Sequence, residues 1–443
     1  MPIVCLGLSH RTAPVEVRES HAFPPARMAA ALVALRDYAA VREAAMLQTC
    51  GRLEIYADLD DFEAGVAQLK EFLANFRHAA VMYDLESYLY THLGAQAIEH
   101  LFRVSTGLDS MLIGEAEVLG QIKDAYAAAQ RAGSLGKTLH RLFREALNAG
   151  KTARARTAIG DESASIATAA IDLARERLGG LEGVTVLVVG AGKMGRIAAK
   201  RLRAEGASRV IVANRTISRA YELVAEIGFG DAVEMPEITA SLCAADIVIS
   251  STGASHFVLT AENVGSAMSA RPQRPLFIVD IAVPRDAEPE IAEIPNVTLA
   301  DVDDLAVVVD GKLEIRREAI PDVEEIVEEF ASRFGRWYRA RLTDPIVSSL
   351  TEKAETIRTA ELERVFARCP DLSERERMLV TGMSMTIVSK LLHSAVTRIR
   401  EKAYLDQTEA LAHARVLDEL FELNLADHIV ALIAHPAPID LGP

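Results

Sequence analysis

The chain has 443 residues, of which 50% are hydrophobic and 25% are charged, the composition of a folded protein rather than a disordered one. This length exceeds what one hydrophobic core usually organises, so two or three domains are expected. Residues Met1–Cys5 show no basic segment followed by a hydrophobic one, and no apolar run is expected to span a bilayer. We therefore expect a cytoplasmic protein without a membrane partner.

The four cysteines lie far apart, and none forms a CxxC pair. This spacing argues against a structural zinc site and a disulfide framework, so no metal is predicted. A lone cysteine is usually a small buried apolar residue, and we interpret Cys5, Cys243 and Cys369 in this way.

The net charge of −15 argues against a broad nucleic-acid-binding surface, which usually requires a basic face. One segment is basic, with only Glu145 opposing its Lys137, Arg141, Arg144, Lys151, Arg154 and Arg156. Such a stripe can bind phosphates on an acidic protein. A solvated helix face gives the same pattern, and charge alone favours that interpretation.

The first segment mixes strands and helices. Ile3–Leu8 predicts a strand and Arg27–Tyr38 an amphipathic helix, and two extended pieces are predicted at Ala44–Leu47 and Leu53–Ala57. Helical patterns then dominate from Phe62 to Leu178, with breaks at glycines. The pattern predicts an N-terminal α+β domain.

Cys50 differs from the other cysteines because it lies in a predicted turn, two residues before Arg52. If the backbone stays extended there, both side chains point to one face. A guanidinium nearby would favour the reactive thiolate, and it could also bind a substrate carboxylate. On these residues alone a packed structural cysteine is the commoner case.

The pattern changes at Val184, where a continuous β-branched run predicts a strand buried on both faces of a parallel sheet. Further strands alternate with helices, which predicts a doubly wound, Rossmann-type sheet. The predicted strands are Val184–Val189, Arg209–Ala213, Asp246–Ser250, Leu276–Asp280 and Val297–Leu299.

A GxGxxG motif, Gly190–Gly195, directly follows the first of these strands and opens a helix. In this setting the motif indicates a dinucleotide site, because glycines allow the turn and the approach of the pyrophosphate to the helix N-terminus. Its six residues, Gly190, Ala191, Gly192, Lys193, Met194 and Gly195, are predicted to bind the cofactor.

The next strand ends in Asn214-Arg215-Thr216, where an NAD site would usually have an acidic residue for the ribose hydroxyl. Arg215 can pair with a 2′-phosphate and Thr216 can add a hydroxyl donor. We interpret the cofactor as NADP(H). A surface arginine after a strand is the alternative.

The C-terminal segment is predicted to be all-helical. Pro321 suits the first turn of a long helix, and an apolar seam follows at Val323, Val327, Phe330, Phe334 and Trp337. We expect this segment to form a homodimer, although it could pack only within its own chain. The predicted domains are 1–156 (catalytic and substrate-binding), 157–311 (NADPH-binding) and 312–443 (helical, dimerising).

Several motifs together resemble those of glutamyl-tRNA reductases. They run from the N-terminus to the dinucleotide domain: Gly7–Pro14, Thr49–Arg52 with Glu54, Gly107–Glu115, Gly190–Gly195 with Asn214–Thr216, and Asp280–Asp286. A weaker match, Lys390–His393, extends the resemblance into the C-terminal helices. The N-terminal motifs are specific to the family, whereas the dinucleotide motif alone is not.

The resemblance implies a three-domain protein with a long spinal helix, and a reaction. The Cys50 thiol would attack the ester of glutamyl-tRNA and form a thioester. NADPH would reduce this thioester to glutamate 1-semialdehyde, the first committed step of tetrapyrrole (porphyrin) biosynthesis by the C5 pathway. Glutamate-1-semialdehyde aminomutase is implied as a further partner, and the basic stripe acquires a candidate role on tRNA.

The resemblance also implies roles for individual residues. Cys50 would be the nucleophile, His100 would polarise the thioester or orient the substrate, and Arg52 would recognise a glutamate carboxylate. The alternatives are a satisfied helix histidine for His100, a plain helix cap for Ser110 and a capping carboxylate for Glu115. The implied substrate-binding residues are Thr49, Gly51, Arg52, Ser110, Glu115, Ala116, Glu117 and Gln121.

Two positions depart from the family pattern. The family commonly has Asn where Gly51 stands, and its Glu-Pro-Gln appears here as Glu115-Ala116-Glu117. The first change removes an amide and loosens the loop. The second places an acid near a carboxylate substrate, which requires Glu117 to face away from that carboxylate.

Two alternative functions remain open at this stage. A shikimate-dehydrogenase-like reductase of a free small molecule would share the dinucleotide segment but would not use Cys50. A dimeric, redox-responsive binding protein would bind NADPH without turning over glutamyl-tRNA.

Overall fold

A computed structural model describes residues 3–75, 84–115, 117–160, 166–254, 256–309, 317–341, 343–405 and 407–423. The chain divides into two compact units, one comprising residues 3–327 and the other residues 328–443 together with the first two residues. The first unit contains both sheets and the second is helical, in agreement with the predicted fold classes. The predicted boundary at 311/312 lies outside the described residues.

An antiparallel sheet forms the N-terminal lobe, with strand order β2-β3-β1-β4 among the described residues. Successive side chains of a strand point to opposite faces of the sheet, and β1 and β3 are buried along their whole length. The strands are β1 (Ile3–Ser9), β2 (Val41–Gln48), β3 (Arg52–Leu59) and β4 (Tyr90–Leu93). Strand β4 was missed from the sequence, where its four residues lie between helical patterns.

Seven helices of the described chain accompany this lobe or follow it. Helix α2 begins at Pro25, a favourable first position, two residues earlier than predicted, and it ends at Leu35, before the predicted Tyr38. The helices are α1 (Val15–Ser20), α2 (Pro25–Leu35), α3 (Phe62–Asn75), α4 (Ala95–Thr106), α5 (Glu117–Ala132), α6 (Lys137–Arg156) and α7 (Ile166–Leu178).

A parallel sheet forms the second lobe, with strand order β10-β9-β8-β5-β6-β7 in the described chain. This doubly wound order confirms the Rossmann-type prediction, and its direction reverses between β5 and β8, where ligands bind in such sheets. The strands are β5 (Thr185–Val189), β6 (Arg209–Asn214), β7 (Asp231–Glu234), β8 (Ile247–Ser250), β9 (Leu276–Asp280) and β10 (Val297–Ala300). Edge strand β7 was missed because two of its four residues are acidic.

Helices cover both faces of this sheet, as the near-continuous apolar strands require. The two faces carry separate hydrophobic clusters, one beneath α7, α8 and α9 and the other beneath α10 and α11. These helices are α8 (Lys193–Ala204), α9 (Ile217–Ile227), α10 (Ile238–Ala244), α11 (Ala261–Ala270) and α12 (Val302–Val309).

Long helices form the C-terminal part: α13 (Ile320–Arg341), α14 (Asp344–Arg368), α15 (Glu374–Leu405) and α16 (Gln407–Phe421). In α13, Val323, Val327, Phe330 and Phe334 are buried within this chain, so most of the predicted seam is covered without a partner. Further on, exposed apolar side chains such as Ile357, Met383 and Leu391 line a groove of about 620 Å³ between α14 and α15.

Helix α15 contradicts one expectation from the sequence. Its segment Glu374–Lys402 is long and apolar enough to cross a bilayer by length and composition, with a stretch of mean hydropathy 1.3 that is not buried. The segment was overlooked because Lys390 and several hydroxyl residues interrupt its apolar residues. An exposed surface rich in apolar side chains is typical of an interaction site.

Candidate functional site

A tight hairpin turn positions Cys50. Strands β2 and β3 pair antiparallel from Val41 to Leu59, and the Thr49 amide donates to the Arg52 carbonyl at 2.9 Å across the turn. Within the turn the Thr49 hydroxyl accepts from the Gly51 amide at 3.1 Å. The backbone is therefore not extended between Cys50 and Arg52, so the argument that both side chains point to one face does not apply.

Arg52 points into a buried polar network. Its Nη1 lies 2.6 Å from Glu54 Oε1 and 3.3 Å from Asp109 Oδ2, and its Nη2 donates to the Asp109 carbonyl. Burial disfavours the guanidinium charge, but Glu54, foremost among the groups that raise it, holds the pKa of Arg52 above its ordinary value. The hydrogen-bond partners of the Arg52 guanidinium are all protein groups, so it holds Glu54 and Asp109 in place. Recognition of a substrate carboxylate by Arg52 stays a prediction.

Glu54 is the centre of this network. It accepts from Arg52, from the hydroxyls of Tyr56 (2.7 Å) and Tyr90 (2.6 Å), and from His100 Nε2 at 2.8 Å. Burial would raise the pKa of Glu54, but Arg52 and His100 hold it well below its usual range. Glu54 is thus an ionised carboxylate inside the lobe, stabilised by four donors.

His100 belongs to the same network. Its Nε2 faces Glu54 and its Nδ1 lies 3.6 Å from Asp109 Oδ2. Both ring nitrogens of His100 therefore face carboxylates, which agrees with the alternative that His100 is a helix histidine whose hydrogen bonds are satisfied. A role of His100 near the thioester stays a prediction. Cys5, Glu54 and His100 place potential metal-ligand atoms within 4.8 Å of one another, but the hydrogen-bond donors already occupy the Glu54 oxygens.

A second acidic group acts on Cys50. Glu115 and Glu117, at the start of α5, are 6% and 5% exposed, and Ser110 lies nearby in sequence at 7%. The Ser110 hydroxyl and one Glu115 oxygen are buried without a hydrogen-bond partner, so they are available to a ligand. Gln121 is half-buried one turn after Glu117, and the predicted Ala116 lies outside the described residues.

These charges determine the state of Cys50. Burial, followed by Glu115 and Glu117, raises the pKa of the Cys50 thiol well above its ordinary value, and Arg18 opposes them. Burial and the Glu117 charge likewise raise the pKa of Glu115 to about 7. The resting sulfur is therefore a thiol, and the prediction that Arg52 activates it is not borne out, because Glu54 and Asp109 engage that guanidinium.

Two residues near Cys50 were missed from the sequence. His10 donates its backbone amide to the Gly51 carbonyl at 2.8 Å, and its Nδ1 is buried without a partner. Burial, then the Arg52 charge, lowers the pKa of His10 to about 4, so the ring is neutral. Arg18 is 3% exposed on α1. No spacing rule in the sequence connects either residue to Cys50, and for His10 it is the pairing of β1 with β3 that brings it beside Gly51.

The dinucleotide motif has the geometry that its glycines predict. Gly190 has a φ of +104° and its Cβ would lie 2.7 Å from the Ser251 carbonyl, and a Cβ on Gly195 would collide with the Gly190 carbonyl. A Cβ on Gly192 would meet nothing within 4 Å, so the backbone is open to a pyrophosphate there. Half-buried Met194 packs against the hydrophobic cluster, and Ala191 is itself buried within it.

The end of β6 lies beside this loop. Asn214 Oδ1 accepts from the Ala191 amide at 3.1 Å and its Nδ2 donates to the Thr216 carbonyl at 2.8 Å, so Asn214 fixes the loop. Arg215 and Thr216 are exposed. The described residues 214–216 include no acidic side chain, and the choice between NAD and NADP stays a prediction.

Ion pairs connect the two sheet-bearing lobes. Lys193 of the dinucleotide motif lies 2.9 Å from Glu117 and balances the charge of that acid, and its orientation away from a substrate carboxylate stays a prediction. Arg285 contacts Glu16 at 3.0 Å and Glu19 at 2.8 Å on α1. The Cys50 pocket and the phosphate-binding loop therefore share Glu117 as a neighbour.

Position 51 has room for a side chain. A Cβ there would lie 3.6 Å from His10 Nδ1 and 3.7 Å from Met111 Cε, ordinary contact distances. Gly51→Ala should therefore raise the free energy of unfolding by about 0.4–1 kcal/mol through the unfolded state. Gly114→Ala is the control and should destabilise, because its φ is +76° and its Cβ would lie 2.5 Å from the Ile159 carbonyl. Urea unfolding measures the free energy of unfolding of both variants. A Gly51→Ala variant that is less stable than the wild type would contradict the prediction.

Family models divide the chain into three matched parts. Residues 6–157 match the glutamyl-tRNAGlu reductase N-terminal domain, residues 172–308 match shikimate/quinate 5-dehydrogenase, and residues 322–423 match the glutamyl-tRNAGlu reductase dimerisation domain. The middle match agrees with a dehydrogenase-like, NAD(P)-binding lobe.

Relatives that match over nearly the whole chain are glutamyl-tRNA reductases. Glutamyl-tRNA reductase of Moorella thermoacetica is 42% identical over 97% of this chain and 96% of its own length. That of Bacillus subtilis (strain 168) is 38% identical over 93% of this chain and 90% of its own length. The solved glutamyl-tRNA reductase from Methanopyrus kandleri is 34% identical, covers 95% of this chain and 99% of its own, and superposes with a TM-score of 0.53. The chain belongs to the glutamyl-tRNA reductase family.

Proposed function

We propose that this protein reduces glutamyl-tRNA to glutamate 1-semialdehyde with NADPH, through a thioester on Cys50, as the first committed step of tetrapyrrole biosynthesis by the C5 pathway. One observation carries the proposal. Glu117 acts electrostatically on Cys50 and forms an ion pair with Lys193 of the dinucleotide motif, which connects a thiol pocket with a nucleotide loop in one compact unit. Thiol and nicotinamide together interconvert activated acyl groups and aldehydes.

The chemistry starts at the sulfur of Cys50. It attacks the carbonyl carbon of the glutamyl ester, the ester C–O bond breaks, and the thiol proton passes to the departing tRNA hydroxyl oxygen. When bound, reduced nicotinamide supplies a hydride to the thioester carbon. The C–S bond then breaks, the sulfur leaves as a thiolate, and the aldehyde is released. Water must be kept from the half-buried Cys50 while the thioester stands, because hydrolysis would otherwise destroy it.

The surrounding residues have proposed roles in binding. Glu115, with an unpaired oxygen, and the hydroxyl of Ser110 face a glutamyl group, and Thr49 and Gly51 shape the loop that holds it. Gln121 and Glu117 lie one turn apart on the same side of α5 and are proposed to line the same pocket. Arg52 and His100 are proposed to act on the substrate from the Glu54 network. The domain boundaries 1–156, 157–311 and 312–443 belong to the same proposal.

Specificity for NADPH over NADH is proposed to come from Arg215. Arg215→Ser should weaken NADPH binding about ten- to a hundredfold, because a charge-assisted contact to the 2′-phosphate is lost, and should leave NADH binding unchanged. Arg209→Ser is the matched control, since Arg209 lies at the opposite end of β6 in an ion pair with Asp231. Calorimetric titration with both nucleotides measures the effect, and equal weakening of NADPH and NADH would contradict it.

Contacts with macromolecules are proposed on two surfaces. Lys137, Arg144 and Lys151 are exposed along one side of α6 and can contact the tRNA backbone, whereas Arg154 donates to the Gly114 carbonyl. The apolar groove between α14 and α15 suits a second copy of this chain, which favours a homodimer over a membrane-bound form. A cytoplasmic location and transfer of product to glutamate-1-semialdehyde aminomutase complete the proposal.

An assay with purified protein tests the function. Glu-tRNA and NADPH are mixed with the protein at low salt, NADPH oxidation is followed, and the product is identified. Glutamate 1-semialdehyde formed only with charged tRNA is the expected result. NADPH binding without oxidation, or oxidation with a free small substrate such as shikimate, would overturn the proposal.

A further inference from the structure

Arg285 of the second lobe binds helix α1 through its whole guanidinium group. Its side chain is 13% exposed, and its Nη1 and Nη2 lie 3.0 Å from Glu16 Oε1 and 2.8 Å from Glu19 Oε1. Its backbone amide and its Nε donate to Glu19 Oε2 at 3.0 and 3.1 Å. A planar guanidinium that engages two carboxylates in this way fixes their orientation as well as their distance.

The start of α1 has a second contact with the same lobe. Asp303 of α12 accepts from the Val15 amide at 3.1 Å, and its carboxylate also lies 2.5 Å from Arg18 Nη2. Val15 is 2% exposed and belongs to the hydrophobic cluster beneath α7, α8 and α9. Helix α1 therefore lies on the second lobe, although β1, the strand before it, belongs to the N-terminal sheet.

A short turn joins α1 to the turn that carries Cys50. The Ser9 carbonyl, at the end of β1, accepts from the Ala13 amide at 2.8 Å, two residues before α1 begins. Between them, the His10 amide donates to the Gly51 carbonyl at 2.8 Å. Cys50 itself is half-buried and packs against the hydrophobic cluster of the second lobe. The position of α1 on the second lobe is thus linked to the position of the sulfur.

We propose that Arg285 is a positioning residue for the reduction step, because it holds α1, and with it the Cys50 turn, against the second lobe. The inference rests on the proposed function, in which a hydride passes from the nicotinamide to the thioester carbon. Such a transfer requires reacting atoms about 3–3.5 Å apart, so a small displacement between the lobes slows it. Attack of Cys50 on the glutamyl ester precedes the hydride transfer and does not depend on this closeness.

The loop that carries Arg285 has its own hydrogen bonds. Asp280, at the end of β9, accepts from the amides of Asp286 and Ala287 at 2.7 and 2.8 Å. Asp286 in turn accepts from the Ser250 hydroxyl at 2.7 Å. Removing the guanidinium should therefore release α1 and leave the loop and NADPH binding intact, which nucleotide titration checks.

Arg285→Ala should separate thioester formation from reduction. Glutamate should appear on the Cys50 peptide, from Glu-tRNA without NADPH, within about twofold of the wild-type rate, whereas NADPH oxidation should fall about tenfold or more. Water hydrolyses the unreduced thioester to glutamate and the free thiol, so free glutamate should exceed glutamate 1-semialdehyde among the products. A contact that only stabilised the fold would lower both steps together.

Arg274→Ala is the matched control, because Arg274 pairs with Asp246 inside the second lobe at 2.6 Å. It should leave both rates unchanged. Glu19→Gln should shift the products in the same direction as Arg285→Ala, and it applies the same test if Arg285→Ala does not fold. Because the two residues form one contact, the double variant should be no worse than Arg285→Ala alone. Additive losses, or an equal loss of both steps in Arg285→Ala, would overturn the proposal.

Alkylation of Cys50 by iodoacetamide tests the contact without tRNA or NADPH. Release of α1 should free Cys50 from the cluster, so Arg285→Ala and Glu19→Gln should be alkylated about threefold faster than the wild type. Mass spectrometry of the Cys50 peptide distinguishes it from the other cysteines. A wild-type rate in both variants would overturn the inference. Absence of glutamate 1-semialdehyde from the wild type would instead overturn the proposed function, and the alkylation rates would still decide whether Arg285 holds the lobes together.

Discussion

Replacing Cys50 by serine should reduce glutamyl-tRNA-dependent NADPH oxidation by about a thousandfold or more, because the hydroxyl cannot form the thioester that accepts hydride. Serine is close to cysteine in size, so folding and NADPH binding should be preserved. Thermal unfolding and nucleotide titration of the variant check this, and they separate loss of chemistry from loss of structure.

A second experiment observes the intermediate directly. Wild-type protein incubated with Glu-tRNA and no NADPH should carry glutamate on the Cys50 peptide, as detected by mass spectrometry, whereas Cys50→Ser should not. Cys243→Ser is the control, since Cys243 is a half-buried thiol that contacts the Ala267 carbonyl at 3.8 Å in the other lobe. Its activity should equal that of the wild type. A Cys50→Ser variant with full turnover would favour a reductase that acts on a free small molecule.

Glu54→Gln should cost about 3–5 kcal/mol of unfolding free energy at pH 7, because it leaves the buried Arg52 with only Asp109 as a counter-charge. The effect depends on pH. Since the folded-state pKa of Glu54 is depressed, its contribution is present above its unfolded pKa, about 4.3, and is lost as pH falls below it. The wild type should therefore lose stability from pH 5 to pH 3 more steeply than the variant.

Urea unfolding at pH 7, 5 and 3 measures both effects. Tyr56→Phe is the matched control, because it removes one of the four donors to Glu54 and keeps the edge contact of the ring with Phe143 at 5.7 Å. It should cost about 1 kcal/mol at pH 7. An unchanged midpoint for Glu54→Gln would show that the network contributes little to folding.

The parts of the fold that the sequence predicted have local causes. Each of these features is encoded within a few consecutive residues. They are the β-branched run of β5, the glycines of Gly190–Gly195 and the end of β6, which lacks an acidic residue. The missed strands β4 and β7 are four residues long, and the sheet partner stabilises them more than their own composition does. The apolar character of α15 was misjudged because polar residues interrupt it.

The sequence by itself therefore determined the family, the fold classes, the candidate nucleophile and the dinucleotide loop, since each rests on a short motif. Only the tertiary structure decided which charges meet. It engaged Arg52 with Glu54 and Asp109, placed His10 beside Gly51, and paired Glu117 with Lys193. These contacts join positions far apart in the chain, and their energies depend on burial and distance, which no local pattern specifies.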